Sequence, residues 1–500
     1  MIIKHIVKLL FLSMTVIMVA FPSHQVMAKD NSLTIAMTGD IDNFDPHWNQ
    51  LMSYSILIGH NVFSYLTKIS PNMTIEPDLA ESWEISEGGT LYTFKLKNDV
   101  KFHNGRHLTA DDVVYSFNRT IKSKATFHSK LEPVKEIRSV DKYTVSIKTK
   151  SPWAPFLEDI SVIAIIPKEA EKNISKKPIG SGKFRFTEWI PNDRIILEKN
   201  NSYTGTDSAK INELIIKILP DVSVALTNLQ SGEVDAVYEV PAANAKRFKN
   251  KNNFIVQKPE STNSLFLIEM AINSYKPLKD LRVRQAIAMC IDKEAIKDNV
   301  YFGEGNSQWS SLPKSSWAYI EPIGPSFDIE KAKSLIKEAG YTDGLELNIE
   351  LIKGVAVMEN IATIWQERLS QIGVDLKINI HDVSTWLDFY VNRKYQLIAN
   401  WMNVHSDPNS FYDIIIKPHI NDKKSFPDKE LSDLIRKGAQ TVNTDNRKAI
   451  YAKIQLALVE KLAPIIVVQA QPLMAITNSS VKGWVMNSKG DIFFENIVID

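Results

Sequence analysis

Residues 82–120, "SWEISEGGTLYTFKLKNDVKFHNGRHLTADDVVYSFNRT", change their hydrophobic rhythm partway through. Over 82–102, apolar and polar side chains alternate on either side of "SEGG". This period of two, broken by a Gly-Gly turn, reads as a β-hairpin. From Thr109 onward the period lengthens. Thr109 and Asp112 form a capping-box pattern, and Val113, Val114 and Phe117 fall on one helical face. A hairpin followed at once by an amphipathic helix is the unit of a sheet with helices packed on it.

The pattern extends both ways. "YTVSIKTK" (143–150) adds a strand to this block, and "SLTIAM" (32–37) reads as an earlier one, followed by a loop and a helical stretch over 53–66. Residues 180–200 and 210–220 read as strands, then "DVSVALTNLQSGEV" (221–234) as helix and "DAVYEV" (235–240) as strand. Helices are expected over 281–300 and 328–339, the second capped by Asp328 and ended by Gly340. Strand, helix and strand over 345–380 form a β-α-β unit, and 445–468 reads as helix, proline stop, strand. The fold class is therefore α/β with layered sheets. With no repeat and no Gly/Ser-rich linker, any lobes are joined by short ordered crossings.

The 500 residues are 44% hydrophobic and 23% charged, ordinary for a soluble globular chain. The first 28 residues have Lys4 and Lys8, an apolar run from Leu9 to Phe21, and small residues before a cut after Ala28. They read as a secretory signal peptide, too short in its apolar part for a membrane span. Removing them turns a formal net charge of +1 into −1, so nothing global draws the chain to nucleic acid or an anionic membrane. The single cysteine, Cys290, sits in an amphipathic helical pattern and reads as a small core residue. With no cysteine at the cleavage point to carry a lipid, the compartment that fits is a periplasm.

Motifs for chemistry fail one by one. "GSGK" (180–183) lacks the earlier glycine of a phosphate loop and runs into a strand. Ser311-x-x-Lys314 is interrupted by Pro313, and Ser334-x-x-Lys337 lies in an amphipathic helix with no Lys-Thr-Gly partner. His103 and His107 flank a glycine turn, which favours a hydrogen-bonded turn over a metal site. No catalytic residue, cofactor or metal ligand set is expected.

Residues 76–119 resemble the signature of the extracellular solute-binding proteins of family 5, the dipeptide, oligopeptide and nickel-binding components of ABC importers. The likeness continues through "PIGSGKFRFTEW" (178–189), "KPLKDLRVRQAIAMCIDKEAI" (276–296) and "WQERLSQIGVDLKI" (365–378), and spans residues 30–500 in order. The tail "VKGWVMNSKGDIFFEN" (481–496) looks most like the peptide- and glutathione-binding branch. The resemblance implies a bilobed periplasmic-binding-protein (Venus flytrap) clamp with an extra subdomain on lobe I. Lobe I is expected over 29–70, 180–260 and 472–500, the subdomain over 71–179 and lobe II over 261–471. It implies a monomer in the periplasm that hands a short peptide or peptide-like solute to the inner-membrane permease. A nickel or other metal chelate is the alternative solute; a secreted hydrolase is a remote third reading.

By the same resemblance, "IANWMNVHSDPNSF" (398–411) lines the cleft from lobe II. Peptide binders of the family place an Asp three residues after the Trp to pair with the peptide ammonium, and here that position is Val404. Asp407 is a candidate for that role or a turn initiator. Trp401 is expected as an apolar wall, with Asn403 beside it and Trp386 as a second aromatic wall. Three roles are open to His405: hydrogen-bond donor in the cleft, nickel-chelate ligand, or solvent-facing loop residue. Lys353 lies near where dipeptide binders carry an Arg for the C-terminal carboxylate, and Gln50, Met52 and Ser53 are expected to meet an extended peptide from lobe I.

Overall fold

The computed structural model describes residues 31–49, 54–470 and 473–500, so the leader and Gln50, Met52 and Ser53 lie outside the described residues. Three larger sheets organise the chain. A seven-stranded sheet has the order Phe254–Gln257, Ala475–Asn478, Ala236–Val237, Ser32–Met37, Glu213–Ile218, Arg194–Lys199, Phe184–Ile190. A five-stranded sheet has the order Val374–His381, Leu345–Ile352, Leu397–Asn403, Ser264–Met270, Ile465–Ala470. The hairpin block forms a separate four-stranded sheet, Ala80–Ser86, Leu91–Leu96, Thr144–Thr149, Val134–Asp141. The chain leaves the first sheet after Gln257, enters the second at Ser264, and returns between Ala470 and Ala475. Two short crossings between two α/β bodies make the bilobed clamp, and the hairpin block is its subdomain.

Lobe II shows how the pattern sets the topology. Leu345–Ile352, Val374–His381 and Leu397–Asn403 run parallel, joined by helices Ala356–Ser370 and Val383–Asn392. The first connection moves one way along the sheet and the second passes back over the starting strand. Crossovers of fixed hand then place the two helices on opposite faces. Accordingly Met358, Ile361, Trp365 and Leu369 pack on Leu347, Ile349 and Leu351, while Trp386 packs with Ile398 and Tyr395. In such sheets solutes are met at the carboxyl ends of the strands, here Ile352, His381 and Asn403. Cys290 is fully buried in this lobe's core, and burial pushes its thiol up to about 12.

Several expectations shift at their ends. The hairpin closes at Ser86 and Leu91, with Glu87, Gly88 and Gly89 all at positive φ, but its second strand stops at Leu96 rather than 102. The helix expected over 281–300 is two, Leu281–Met289 and Lys293–Asn299, because Asp292 caps the second by accepting the Ala295 N–H at 3.0 Å. The helical stretch at 53–66 ends at Val62. Asp78 takes the Tyr65 N–H at 2.7 Å, and Leu79 donates to the Tyr65 carbonyl at 2.9 Å, so pairing with the subdomain strand replaces the next helical turn.

The rejected motifs turn out to meet each other. His103 Nε2 lies 3.1 Å from the Gly182 carbonyl, and the Gly180 N–H points at Nδ1 from 3.4 Å. Burial holds this imidazole down at about 4, so it serves as a neutral strut. A Cβ at Gly180 would lie 1.9 Å from the Val62 carbonyl oxygen, and one at Gly182 would lie 2.3 Å from that of Asn61. The glycines of "GSGK" therefore allow two backbones to touch, with no role for a phosphate. Ser311 likewise faces the Tyr412 hydroxyl at 3.1 Å, not Lys314.

Candidate functional site

On the lobe II side, the last strand residues pair Ser264 with Asn403 and Phe266 with Trp401. Trp401 is 40% exposed although its strand partner Phe266 is buried. Trp386 is buried and stacks on Tyr390 with ring centres 5.2 Å apart. Lys353 is exposed just beyond its strand, where its N–H donates to the His381 carbonyl at 2.7 Å. The topology thus brings Lys353, Trp401, Asn403 and His405 to the carboxyl edge of one sheet, with Trp386 on the helix that leaves it.

Asp407 has other commitments. Its Oδ1 accepts the Asn409 N–H at 2.9 Å, capping the short helix Pro408–Phe411, and receives Arg447 Nη2 at 2.8 Å. Arg447 also donates to the Tyr451 hydroxyl and the Gly438 carbonyl, each at 2.9 Å. This is the turn-initiating alternative, reinforced by a buried ion pair. Val404 is fully buried in the apolar cluster with Leu265, Phe411 and Tyr412.

On the lobe I side is a pocket of about 80 Å³. Its far end is a closed charge network. Asp207 receives Lys68 at 2.9 Å, Lys183 at 3.4 Å and the Tyr203 hydroxyl at 2.8 Å, and Lys183 also reaches Glu495 at 2.7 Å. These cations hold the Asp207 carboxyl well below the usual range. The near end is formed by His60, Ser161, Lys489 and Asp491. Burial lowers His60 to about 4, and burial with the Lys130 and Lys489 charges holds His405 well below its ordinary value. Both imidazoles are neutral at physiological pH, and both lie in the field of Asp491, one from each lobe.

The two sides are latched. Glu158, in the subdomain and 5% exposed, accepts the Ser406 N–H at 2.7 Å and the Asp407 N–H from lobe II. Beside it Lys130 pairs with Asp159 at 2.9 Å and reaches Ser410 at 3.3 Å, and the Ala154 N–H bonds the Ala439 carbonyl at 2.8 Å. His405 Nδ1 is 3.8 Å from the same Glu158 carboxylate. A second link runs through the crossing segment. The Asn263 N–H donates to the Ser488 carbonyl of lobe I at 2.7 Å, while its carbonyl and amide bracket Val404 of lobe II at 2.9 and 2.8 Å.

Glu158, His60, Asn263 and Asp491 were not legible as site residues. Glu158 and Asn263 meet lobe II residues between 141 and 249 positions away in the chain, and His60 and Asp491 come from opposite ends of the chain, so no local pattern joins them. Among the described residues no three His, Cys, Asp or Glu side chains assemble to hold a metal, and no helix is long and apolar enough to cross a membrane.

Residues 74–422 match the model of the bacterial extracellular solute-binding proteins, family 5 Middle. The chain is 28% identical to the dipeptide-binding protein of Escherichia coli over 469 residues, 85% of this chain and 86% of that one. It is 31% identical to the oligopeptide-binding protein AppA of Bacillus subtilis over 361 residues, 66% of each. Among solved structures, NikZ of Campylobacter jejuni in complex with Ni(L-His) superposes with a TM-score of 0.80 at 25% identity, covering 94% of this chain and 99% of NikZ.

Proposed function

Because the chain belongs to the bacterial extracellular solute-binding proteins of family 5, we propose that it is the periplasmic binding component of an ABC importer, exported by its N-terminal leader. It captures a short peptide, a di- or oligopeptide or glutathione, between its lobes as a monomer and delivers it to the permease without turnover. The observation that carries this reading is the latch: a buried subdomain carboxylate grips backbone N–H groups of the opposite lobe beside a polar pocket. A solute that touches both sides stabilises the closed state by its differential affinity for it. The aromatic walls are Trp401 and Trp386, and Asn403, His405 and Lys353 offer polar contacts at the same edge.

Isothermal calorimetry of the leader-free protein against di- to pentapeptides and glutathione tests the ligand class. Saturable heat with at least one of them is expected; none with any would overturn it. One observation favours a second reading, a metal chelate: the neutral His60 and His405 approach from opposite lobes. With no larger ligand cluster among the described residues, the metal would bring most of its own donors. Heat with nickel–histidine that is lost in His405→Ala selects that reading.

A further inference from the structure

We propose that Asp491 is the carboxylate that receives the ammonium group of the solute, in place of the acid missing at Val404. The inference rests on the peptide reading above. It follows from accounting for every acid at the site. Asp407 is spent on Arg447 and the Asn409 N–H, and Glu158 on the Ser406 and Asp407 N–H groups. Asp207 and Glu495 are paired with Lys68 and Lys183, and Asp78 accepts the Tyr65 N–H. Asp491 alone among them has a fully buried carboxylate oxygen without a donor. It is 8% exposed and lines the pocket; its Oδ2 accepts Asn487 Nδ2 at 3.0 Å, with Lys489 Nζ at 3.7 Å, while its buried Oδ1 has no donor. A buried charged acceptor left unpaired is costly, and folds tolerate one chiefly where a ligand supplies the donor.

The group is also held ready. The Asp491 N–H bonds the Asn487 side chain at 3.0 Å, and the Asn487 N–H returns to the Asp491 carbonyl at 3.1 Å. Gly490 completes this turn at φ +99°, where a Cβ would lie 2.8 Å from the Tyr238 hydroxyl. The same turn accepts the Asn263 N–H through Ser488, and Asn263 holds Val404 of lobe II, so a pull on Asp491 reaches the lobe II loop. The Lys489 charge keeps the carboxylate ionised. A primary ammonium brings one positive charge and three donors; an ionised oxygen with neutral imidazoles around it is its complement.

The test is calorimetry with trialanine and N-acetyl-trialanine on the wild-type protein and on Asp491→Asn. Acetylation should weaken wild-type binding about tenfold or more, since a charge-assisted hydrogen bond is lost. Asp491→Asn should bind free trialanine about tenfold more weakly and barely distinguish the two peptides. Equal wild-type affinity for both peptides would overturn the assignment, even if the variant folds poorly. So would a folded variant that keeps wild-type affinity and discrimination. An absence of heat from the wild-type protein with every peptide and with glutathione is a different result: it removes the peptide reading, and the assignment with it.

Discussion

A Glu158→Ala protein will bind its solute about tenfold more weakly or worse, because truncation leaves the Ser406 and Asp407 N–H groups without the acceptor that the closed clamp gives them. The side chain lies in the subdomain and its partners in lobe II, so the loss falls on closure. The dissociation rate should rise more than the association rate falls. Stopped-flow binding and calorimetry on the same preparation check this; unchanged affinity in a folded variant would show that the latch carries no closure energy.

The same residue sets a pH dependence with a definite sign. Burial first, and then the Asp407 charge, lift the Glu158 carboxyl to about 7 from its ordinary 4.5. A raised value means that the closed state binds the proton more tightly than an open, solvated one. The stabilisation is therefore fully present below about 4.5 and is lost as pH rises through about 7. Around it, Lys130 is held charged by Asp159, His405 is held neutral, and Asp159 shifts in the same direction as Glu158. Wild-type affinity should weaken several-fold between roughly pH 5.5 and pH 7.5, and Glu158→Ala should flatten most of that slope.

His419→Ala will destabilise the protein by about 2–3 kcal/mol, because it leaves a buried acceptor without its donor. Glu269 is completely buried on a central strand of lobe II, accepting Asn400 at 2.6 Å and facing His419 Nε2 at 2.7 Å. His419 Nδ1 lies 2.5 Å from the Ser425 hydroxyl. The order Ser, His, Glu is that of a hydrolase triad, yet each of the three residues is 0% exposed, so no scissile carbonyl can reach the hydroxyl. The group reads as a core network: the carboxylate is tolerated because every oxygen has a partner. Ser425→Ala, which removes a neutral bond, should cost only about 1 kcal/mol. Urea unfolding followed by lobe II tryptophan fluorescence separates the two variants; a loss below about 1 kcal/mol for His419→Ala would contradict this account.

What the sequence disclosed follows the range of the interactions involved. The Thr109–Asp112 capping box, the Asp328 cap and the β-α-β unit of lobe II act over at most a few turns, and their patterns are explicit. The break at Asp292 was legible in principle, since an Asp in mid-helix competes for backbone N–H groups. The tightness of Gly180 and Gly182 could not be read, because it depends on a helix end more than 110 residues earlier. The site divides in the same way. Trp401, Asn403 and His405 were named through the family resemblance of 398–411, a stretch that the strand ending at Asn403 carries to one edge. Asp407 was half legible: Asp-Pro announced a cap, while its Arg447 partner lies 40 residues on. Glu158, His60 and Asp491 gain meaning only when the lobes and subdomain come together.

The central claim is that the two lobes shut upon a solute. Small-angle X-ray scattering measures this most directly, using protein stripped of solute by unfolding and refolding and then saturated with a peptide that gives calorimetric heat. The account predicts a smaller radius of gyration in the saturated protein, with Glu158→Ala shifted toward the larger value at any given peptide concentration. A radius that stays the same with and without bound peptide would contradict it.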